Sequence, residues 1–175
     1  VDVFAPVIDE ELERVAAGRG AFKAVRGEYG SGKTFFGRWF QERARSRGFA
    51  ASEVQINETE TPLHKLETVY RRLVERLGTA DAANGAFRSV IDGWFFALEQ
   101  DVLAEGGVDA DDDSALLART DALMEARLAA ISKAAPAFSA VLRAYRQAVA
   151  RGDGSLADGL ISWLSGQPNV AAGVK

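Results

Sequence analysis

The chain has 175 residues, of which 47% are hydrophobic and 26% are charged, and this composition is ordinary for a folded globular domain. The net charge of −4 argues against a surface that binds nucleic acid through charge alone, although a local basic patch is compatible with this net charge. With no cysteine and a single histidine, the sequence excludes disulfides and zinc knuckles. It has no apolar run long enough to span a membrane. Because no signal peptide is visible either, we expect a cytoplasmic protein.

The first sixty residues alternate between helix and strand patterns. Four apolar residues near the N-terminus repeat at helical spacing: Ile8, Leu12, Val15 and Ala16. Strands are predicted at Ala21–Val25 and Ala50–Ile56, on either side of a helix that runs from Lys33 to about Arg47. A strand, a glycine-rich loop, a helix and a second strand in this order form a βαβ unit, which implies a parallel sheet with a right-handed crossover.

Residues 61–165 have helical patterns throughout. Apolar residues recur at helical spacing in five segments: Leu63–Leu77, Phe87–Val102, Leu116–Ile131, Pro136–Val149 and Leu156–Leu164. The acidic run at 109–113 is predicted to be a solvated loop that caps the helix after it. Residues 166–175 are predicted to be a loose tail. The chain therefore divides into an α/β part over 1–60, a helical region over 61–165 and this tail.

The loop between the predicted first strand and the helix after it, residues 27–34, reads Gly-Glu-Tyr-Gly-Ser-Gly-Lys-Thr and fits the phosphate-binding pattern G-x-x-x-x-G-K-[ST]. Its glycines allow successive backbone N–H groups to point at phosphate oxygens, and the helix N-terminus adds partial positive charge. Lys33 is predicted to reach the β- and γ-phosphates as a catalytic residue, and Thr34 to ligate Mg²⁺. The residues predicted to contact the nucleotide are Gly27, Glu28, Tyr29, Gly30, Ser31, Gly32, Lys33, Thr34 and Phe35.

Two side chains of the loop occupy variable positions of the pattern. Glu28 would lie near polyphosphate, so we expect it to point outward. Tyr29 either covers the phosphates, stacks on a neighbour or is an ordinary surface aromatic.

A nucleotide-hydrolysing site of this kind also needs an acidic residue at the end of an apolar strand, where it orders Mg²⁺ and polarises the attacking water. The nearest match, at 89–92, fits a helix better than a strand. Two strands also make a small sheet. Together with Val1 in place of an initial methionine, these features predict that the chain is a fragment of a larger ATPase. The alternative interpretation is that the active site of this chain is completed elsewhere.

Three segments, residues 26–34, 61–65 and 69–71, resemble the ATP-binding proteins associated with bacteriophage-exclusion (BREX) defence systems. The resemblance implies an α/β P-loop NTPase with a partial parallel sheet, followed by an all-helical region, related to the AAA+ and origin-recognition-like ATPases. It implies ATP and Mg²⁺ as cofactors, other subunits of a defence complex as partners, and an acidic strand beyond the helical region.

Two further residues have a functional and an ordinary interpretation. In the ATPases that the chain resembles, a polar residue ending the second strand senses the γ-phosphate, and Asn57 holds that position; the alternative is a strand-end turn. For His64, the functional interpretation is a contact with the nucleotide base or with a partner. The ordinary interpretation is a surface or helix-capping residue.

Three functions are compatible with these features. The first is an ATP-binding module that drives a defence complex, with DNA possible but not indicated by the acidic charge; the isolated chain would bind ATP without hydrolysing it efficiently. The second is a small P-loop kinase, which would need further strands and would use Arg143, Arg146 and Arg151 as a lid. The third is a nucleotide-gated interaction protein whose helical half binds a partner without turnover.

Overall fold

The computed structural model describes residues 3–109 and 111–167, so the predicted tail over 166–175 lies outside it from residue 168 onward. Within these residues the regular secondary structure is helical. The helices are α1 (Ala5–Ala16), α2 (Lys33–Arg45), α3 (Leu66–Glu75), α4 (Phe87–Glu105), α5 (Asp113–Ala134), α6 (Pro136–Ala150) and α7 (Gly154–Leu164).

The helices predicted from apolar periodicity are confirmed. Helix α2 begins at Lys33, as the loop pattern predicts, and helix α6 begins at Pro136, where a fixed φ favours the first turn. The acidic run caps α5 as expected, because the side chain of Asp112 accepts a hydrogen bond from the amide of Ala115 at 3.0 Å. The remaining differences are shifts of a few residues at helix ends, where the first and last turns lack full hydrogen bonding.

The predicted α/β P-loop NTPase fold with a partial parallel sheet is wrong, because residues 3–109 and 111–167 contain no strand and no sheet. The segment predicted as the first strand, 21–25, is irregular and exposed, with Phe22 91% exposed. The second, 50–56, makes one isolated antiparallel bridge, from Ala51 to Gly78. Alternating apolar residues mark one face of an extended segment, but a strand also needs a neighbouring backbone to pair with.

The single bridge fixes the chain after α2 against the end of α3. Ala51 and Gly78 exchange two backbone hydrogen bonds of 2.9 Å, and the hydroxyl of Ser52 donates to the carbonyl of Leu73 at 2.7 Å. A Cβ at Gly78 would lie 2.2 Å from the carbonyl oxygen of Ala83, so this close approach requires glycine. The partner of the predicted second strand is therefore a turn that follows a helix.

Helices α4 to α7 form a bundle with one continuous apolar core. The core is built from residues that repeat at helical spacing along all four helices. Its buried residues are Phe95, Leu98, Met124, Leu128, Leu142, Tyr145, Ala148, Ala157, Leu160, Ile161 and Leu164. A separate, smaller cluster joins α1 to α2 and consists of Ile8, Leu12 and Ala44, with Phe36, Trp39 and Phe49 packed against it.

One charged residue, Arg146, lies inside the bundle with its side chain 4% exposed. Its guanidinium donates to Glu99 at 3.0 Å, to Asp121, and to the carbonyl of Leu117 at 3.3 Å. A buried charge of this kind is stable only when it is paired and hydrogen-bonded. The cluster ties α4, α5 and α6 together.

A buried tyrosine makes a second polar contact in the bundle. The hydroxyl of Tyr145 donates to a carboxylate oxygen of Asp92 at 2.7 Å. Burial, and then this hydrogen bond, raises the pKa of Tyr145 to about 12. Asp92 is thus an exposed residue of helix α4, in agreement with the sequence-based rejection of 89–92 as an acidic strand.

Helix α3 contacts the end of the bundle through Tyr70. Its hydroxyl donates to the carbonyl of Leu164, the last residue of α7, at 2.6 Å. Gly166 lies against the same ring, since a Cβ there would come within 3.1 Å of it. This contact joins residues 94 positions apart in the chain.

We predict that Leu98→Ala lowers the free energy of unfolding by about 2–5 kcal/mol, because Leu98 is 0% exposed in the bundle core. The matched control is Leu66→Ala, since Leu66 also lies on a helix but is 71% exposed and should change stability little. Urea denaturation followed by circular dichroism measures both. Equal losses in the two variants would contradict the packing described for α4.

Candidate functional site

The glycine-rich loop 27–34 turns tightly before α2. Gly30 and Gly32 have φ values of 80° and 86°, the left-handed region that residues with a side chain rarely adopt. Gly32 is the N-cap of α2, so the helix starts directly from this turn. The loop pattern therefore predicts a backbone shape that only glycine adopts without strain.

Lys33 folds back over the loop. Its ammonium group donates to the carbonyl of Gly27 at 2.8 Å and to that of Glu28 at 2.6 Å, and lies 3.5 Å from the hydroxyl of Ser31. These contacts place the positive charge across the mouth of the loop while the lysine remains exposed to solvent. A ligand anion at the loop would meet this charge directly.

The first turn of α2 offers backbone donors beside that charge. Among the described residues, no backbone carbonyl accepts from the amides of Lys33, Thr34 or Phe35, and no side chain caps the helix. Free amides at a helix N-terminus, together with the helix dipole, favour an anion at this position.

A cavity of about 680 Å³ lies directly beside the loop, and we call it the loop cavity. Gly27, Ser31, Gly32 and Lys33 line one end of it. Its remaining walls come from α1, α2 and the segment between them, and include Ile8, Leu12, Phe36 and Phe40. A mostly apolar cavity with a few charged groups at one end is the usual form of a small-ligand site.

An ion pair holds α1 against α2, the two helices that supply most of the apolar walls of the loop cavity. Asp9 accepts from Arg43 at 2.5 and 2.6 Å and pairs with Arg47 at 2.7 Å. The hydrogen bond from Arg43, with that from Arg47, outweighs the effect of burial and lowers the pKa of Asp9 to about 2. Asp9 is therefore ionised throughout the physiological range.

A second ion pair crosses from α1 to the segment 21–25. The ammonium group of Lys23 lies 2.9 Å from a carboxylate oxygen of Glu11, which also accepts from Arg14 at 3.3 Å. The hydrogen bond from Lys23 lowers the pKa of the Glu11 carboxyl. Both members of this pair line the loop cavity, so their charges offset each other at its edge.

Asn57 and His64 are not brought to the loop cavity. They line a separate open pocket together with Ile56, Pro62 and Leu63. The side-chain oxygen of Asn57 accepts from the amides of residues 59, 60 and 61 at 3.1, 2.6 and 3.2 Å, which is the turn considered as the alternative interpretation. The role of Asn57 as a γ-phosphate sensor remains a prediction.

The other predicted contact residues lie at the outer surface of the loop. Tyr29 is fully exposed and Phe35 is 63% exposed, and Glu28 and Thr34 are exposed as well. Roles for these four side chains in nucleotide or Mg²⁺ binding remain predictions.

The arginines considered as a kinase lid do not form one group of free cations. Arg146 is buried and paired inside the bundle, and Arg143 forms an ion pair with Glu125 at 2.7 Å. The described residues also contain no cluster of three His, Cys, Asp or Glu side chains suited to hold a metal ion.

Sequence reasoning did not identify the ion pairs of α1. In the sequence, Asp9 and Glu11 are simply acids near a helix N-terminus, where negative charge is favourable. Their actual partners lie 34 and 12 residues further along the chain, a separation at which residue spacing carries no signal.

A glycine loop closed by a lysine at a helix N-terminus, beside an apolar cavity, is the arrangement typical of a nucleotide-binding protein. The family described as BREX system ATP-binding protein BrxC/D matches the chain over residues 1–175, and the chain belongs to this family. It is thus a BREX-associated ATP-binding protein, as the resemblance of its loop and of residues 61–71 predicts. Comparisons with curated proteins and with solved structures found no match.

In the part of the chain that the structure describes, no helix is both long and apolar enough to cross a bilayer.

We predict that Asp9→Asn destabilises the protein at neutral pH, because it removes the charge that holds Arg43 and Arg47. The pKa of Asp9 is lower in the folded state than its ordinary value of 3.8, so the stabilisation is full above pH 3.8 and disappears as the pH falls through about 2. Urea denaturation of wild type and Asp9→Asn from pH 7 downward should show a difference that shrinks in this window. Glu10→Gln removes an exposed neighbouring carboxylate and serves as the control, and an equal effect of the two substitutions would refute the pairing.

Proposed function

We propose that this chain is the ATP-binding module of a BREX defence ATPase and that loop 27–34 holds the ATP phosphates. Residues 1–60 form the nucleotide-binding part and residues 61–165 a helical region attached to it. The single observation that carries the proposal is the position of the Lys33 ammonium group, which lies 2.6–2.8 Å from two loop carbonyls at the N-terminus of α2. Membership of an ATP-binding family supports the same ligand.

Lys33 and the helix amides fit a polyphosphate chemically. The ammonium group now bonds to neutral carbonyls, and phosphate oxygens are stronger acceptors because they carry negative charge. The amides of the first turn of α2 supply further donors without the need to break backbone hydrogen bonds. ATP phosphates would thus replace bonds from the ammonium group to neutral carbonyls with bonds in which both partners are charged.

Thr34 is the residue that would hold Mg²⁺. It lies in the first turn of α2, next to Lys33, and its side chain is exposed. Magnesium in such sites takes most of its ligands from phosphates and water, so one hydroxyl from the protein is a sufficient contribution. When bound, Mg²⁺ neutralises charge on the phosphate oxygens.

Among the described residues, one acid lines the loop cavity. The acid that lines the loop cavity is Glu11, and its bond with Lys23 lowers its pKa. A general base works best with a pKa near the working pH, so this shift is in the wrong direction for activating water. We therefore place the catalytic acid outside the described residues.

We predict that Lys33→Ala weakens Mg²⁺-ATP binding about 10- to 100-fold, since it removes a charged hydrogen bond to phosphate worth about 1.5–3 kcal/mol. Isothermal titration calorimetry of purified protein measures the change. Lys133→Ala is the matched control, because Lys133 is an exposed lysine in the last turn of α5. Unchanged ATP affinity in Lys33→Ala would rule out the loop as the phosphate site.

We predict that the isolated chain releases phosphate from ATP no faster than buffer alone, because no acid with a suitable pKa lines the loop cavity. A coupled phosphate-release assay at saturating Mg²⁺-ATP measures this, with Lys33→Ala as the blank. Hydrolysis that depends on Lys33 would show that a catalytic acid is present within these 175 residues. Transfer of phosphate to an added metabolite would favour the kinase instead.

A further inference from the structure

A groove opens at the surface of the bundle between α4 and α6, and we call it the α4–α6 groove. Its volume is about 200 Å³. Two acids, one arginine and three apolar residues are among those that line it: Asp92, Glu99, Arg146, Phe96, Leu117 and Val149. Sites for small organic molecules usually enclose about 300–1,000 Å³, so this groove has room for a single side chain.

Two of the apolar side chains in the α4–α6 groove are open to solvent. Phe96 is 62% exposed and Val149 is 51% exposed. Because Asp92, Phe96 and Glu99 follow one another at intervals of four and three residues, they lie along one face of α4. Scattered exposed apolar residues are ordinary, but these two border one groove that also contains acids. A side chain that enters the groove therefore meets apolar and negatively charged surface together.

Arg146 does not neutralise the acids around it. Its guanidinium donates to Glu99 at 3.0 Å and also to Asp121. Two carboxylates around one guanidinium leave one negative charge without compensation. Because interfaces pair opposite charges, this cluster favours a cation from outside over an anion.

Asp92 adds a further negative charge to the α4–α6 groove. One of its carboxylate oxygens accepts from the hydroxyl of Tyr145 at 2.7 Å, but a neutral hydroxyl does not offset the charge. Among the described residues no cation forms an ion pair with Asp92, since Arg88, one turn earlier on α4, pairs with Asp158. Asp92 is exposed, so its carboxylate is accessible to a ligand.

We propose that the α4–α6 groove is a docking site for an arginine of a partner protein, on a segment in which an apolar residue stands beside that arginine. The guanidinium enters between Asp92 and Glu99, and its stem and the apolar neighbour cover Phe96 and Val149. The site belongs to the helical region, and the inference does not depend on a nucleotide at loop 27–34.

Arginine fits the α4–α6 groove better than the other side chains that commonly anchor interfaces. Tryptophan and tyrosine also fill such pockets, but they would leave the two acids without a cation. The ammonium group of lysine is strongly hydrated, whereas a flat guanidinium stacks on an aromatic ring such as that of Phe96. The apolar stem of arginine packs on apolar surface while its charge meets a carboxylate.

The first experiment selects peptides against the whole chain. A library of random short peptides displayed on phage is panned on the immobilised protein, and the selected sequences are then synthesised. We expect these peptides to share an arginine with an apolar residue beside it. A selection that does not enrich arginine, or that returns no peptide, would overturn the inference.

Calorimetry with one selected peptide locates its binding site. We expect Phe96→Ala to weaken binding about tenfold, because this substitution removes the exposed ring on which the arginine packs. Ile131→Ala is the matched control, since Ile131 is an apolar residue near the other end of α5 and is 44% exposed. Equal affinities of these two variants would place the peptide elsewhere on the protein and overturn the inference.

A double-mutant cycle tests the charge. Asp92→Asn keeps an acceptor for Tyr145 but removes the negative charge, and citrulline in the peptide keeps the shape of arginine without its positive charge. We expect either change, and both together, to weaken binding by about fivefold, because each removes the same ion pair. Asp81→Asn, at an exposed acid outside the bundle, should bind like wild type. Additive losses in the cycle, or no loss with Asp92→Asn, would show that the arginine does not meet Asp92 and would refute the docking site.

Discussion

The packing of α1 against α2 depends on one carboxylate, that of Asp9. The apolar cluster between α1 and α2 is small, with three buried residues, and it has no sheet beneath it in the described part of the chain. Asp9 supplements it by pairing with Arg43 in the last turn of α2 and with Arg47 just after that helix. Because the glycine-rich loop precedes the opposite end of α2, the ion pair orients α1 without contacting the loop.

The helical region is stabilised in a different way. Helices α4 to α7 share one core, and the buried charged residue Arg146 has acidic partners on two other helices. Removing one partner of such a cluster leaves a buried charge without compensation, which costs more than the pair contributes. Both the apolar core and the partners of Arg146 thus come from α4 to α7 themselves.

The sequence was informative where structure depends on local pattern. The helical period predicted every helix of the bundle, and the glycine–lysine pattern predicted the start of α2 at Lys33. It was misleading where structure depends on a distant partner. Residues 21–25 and 50–56 have the alternation of strands, but pairing is decided by which backbone lies alongside, and Ala51 meets the turn at Gly78.

Long-range charge pairs show the same limit. In the sequence, Arg146 is indistinguishable from a surface arginine of an amphipathic helix, and it was considered as a lid residue for that reason. Its burial follows from Glu99 and Asp121, which come from α4 and α5 and converge on it only in the folded bundle. The partners of Asp9 and Glu11 were missed for the same reason.

The contact between Tyr70 and the carbonyl of Leu164 has a consequence for the order of folding. It closes a loop of 94 residues, whereas successive helices of the bundle meet across short turns. Closing a long loop costs more chain entropy than closing a short one, so contacts between neighbouring helices form first. Helix α3 can dock only once α7 has an ordered end to receive it. Docking of α3 onto the end of the bundle is then a late event in folding, although α3 precedes all four bundle helices in the chain.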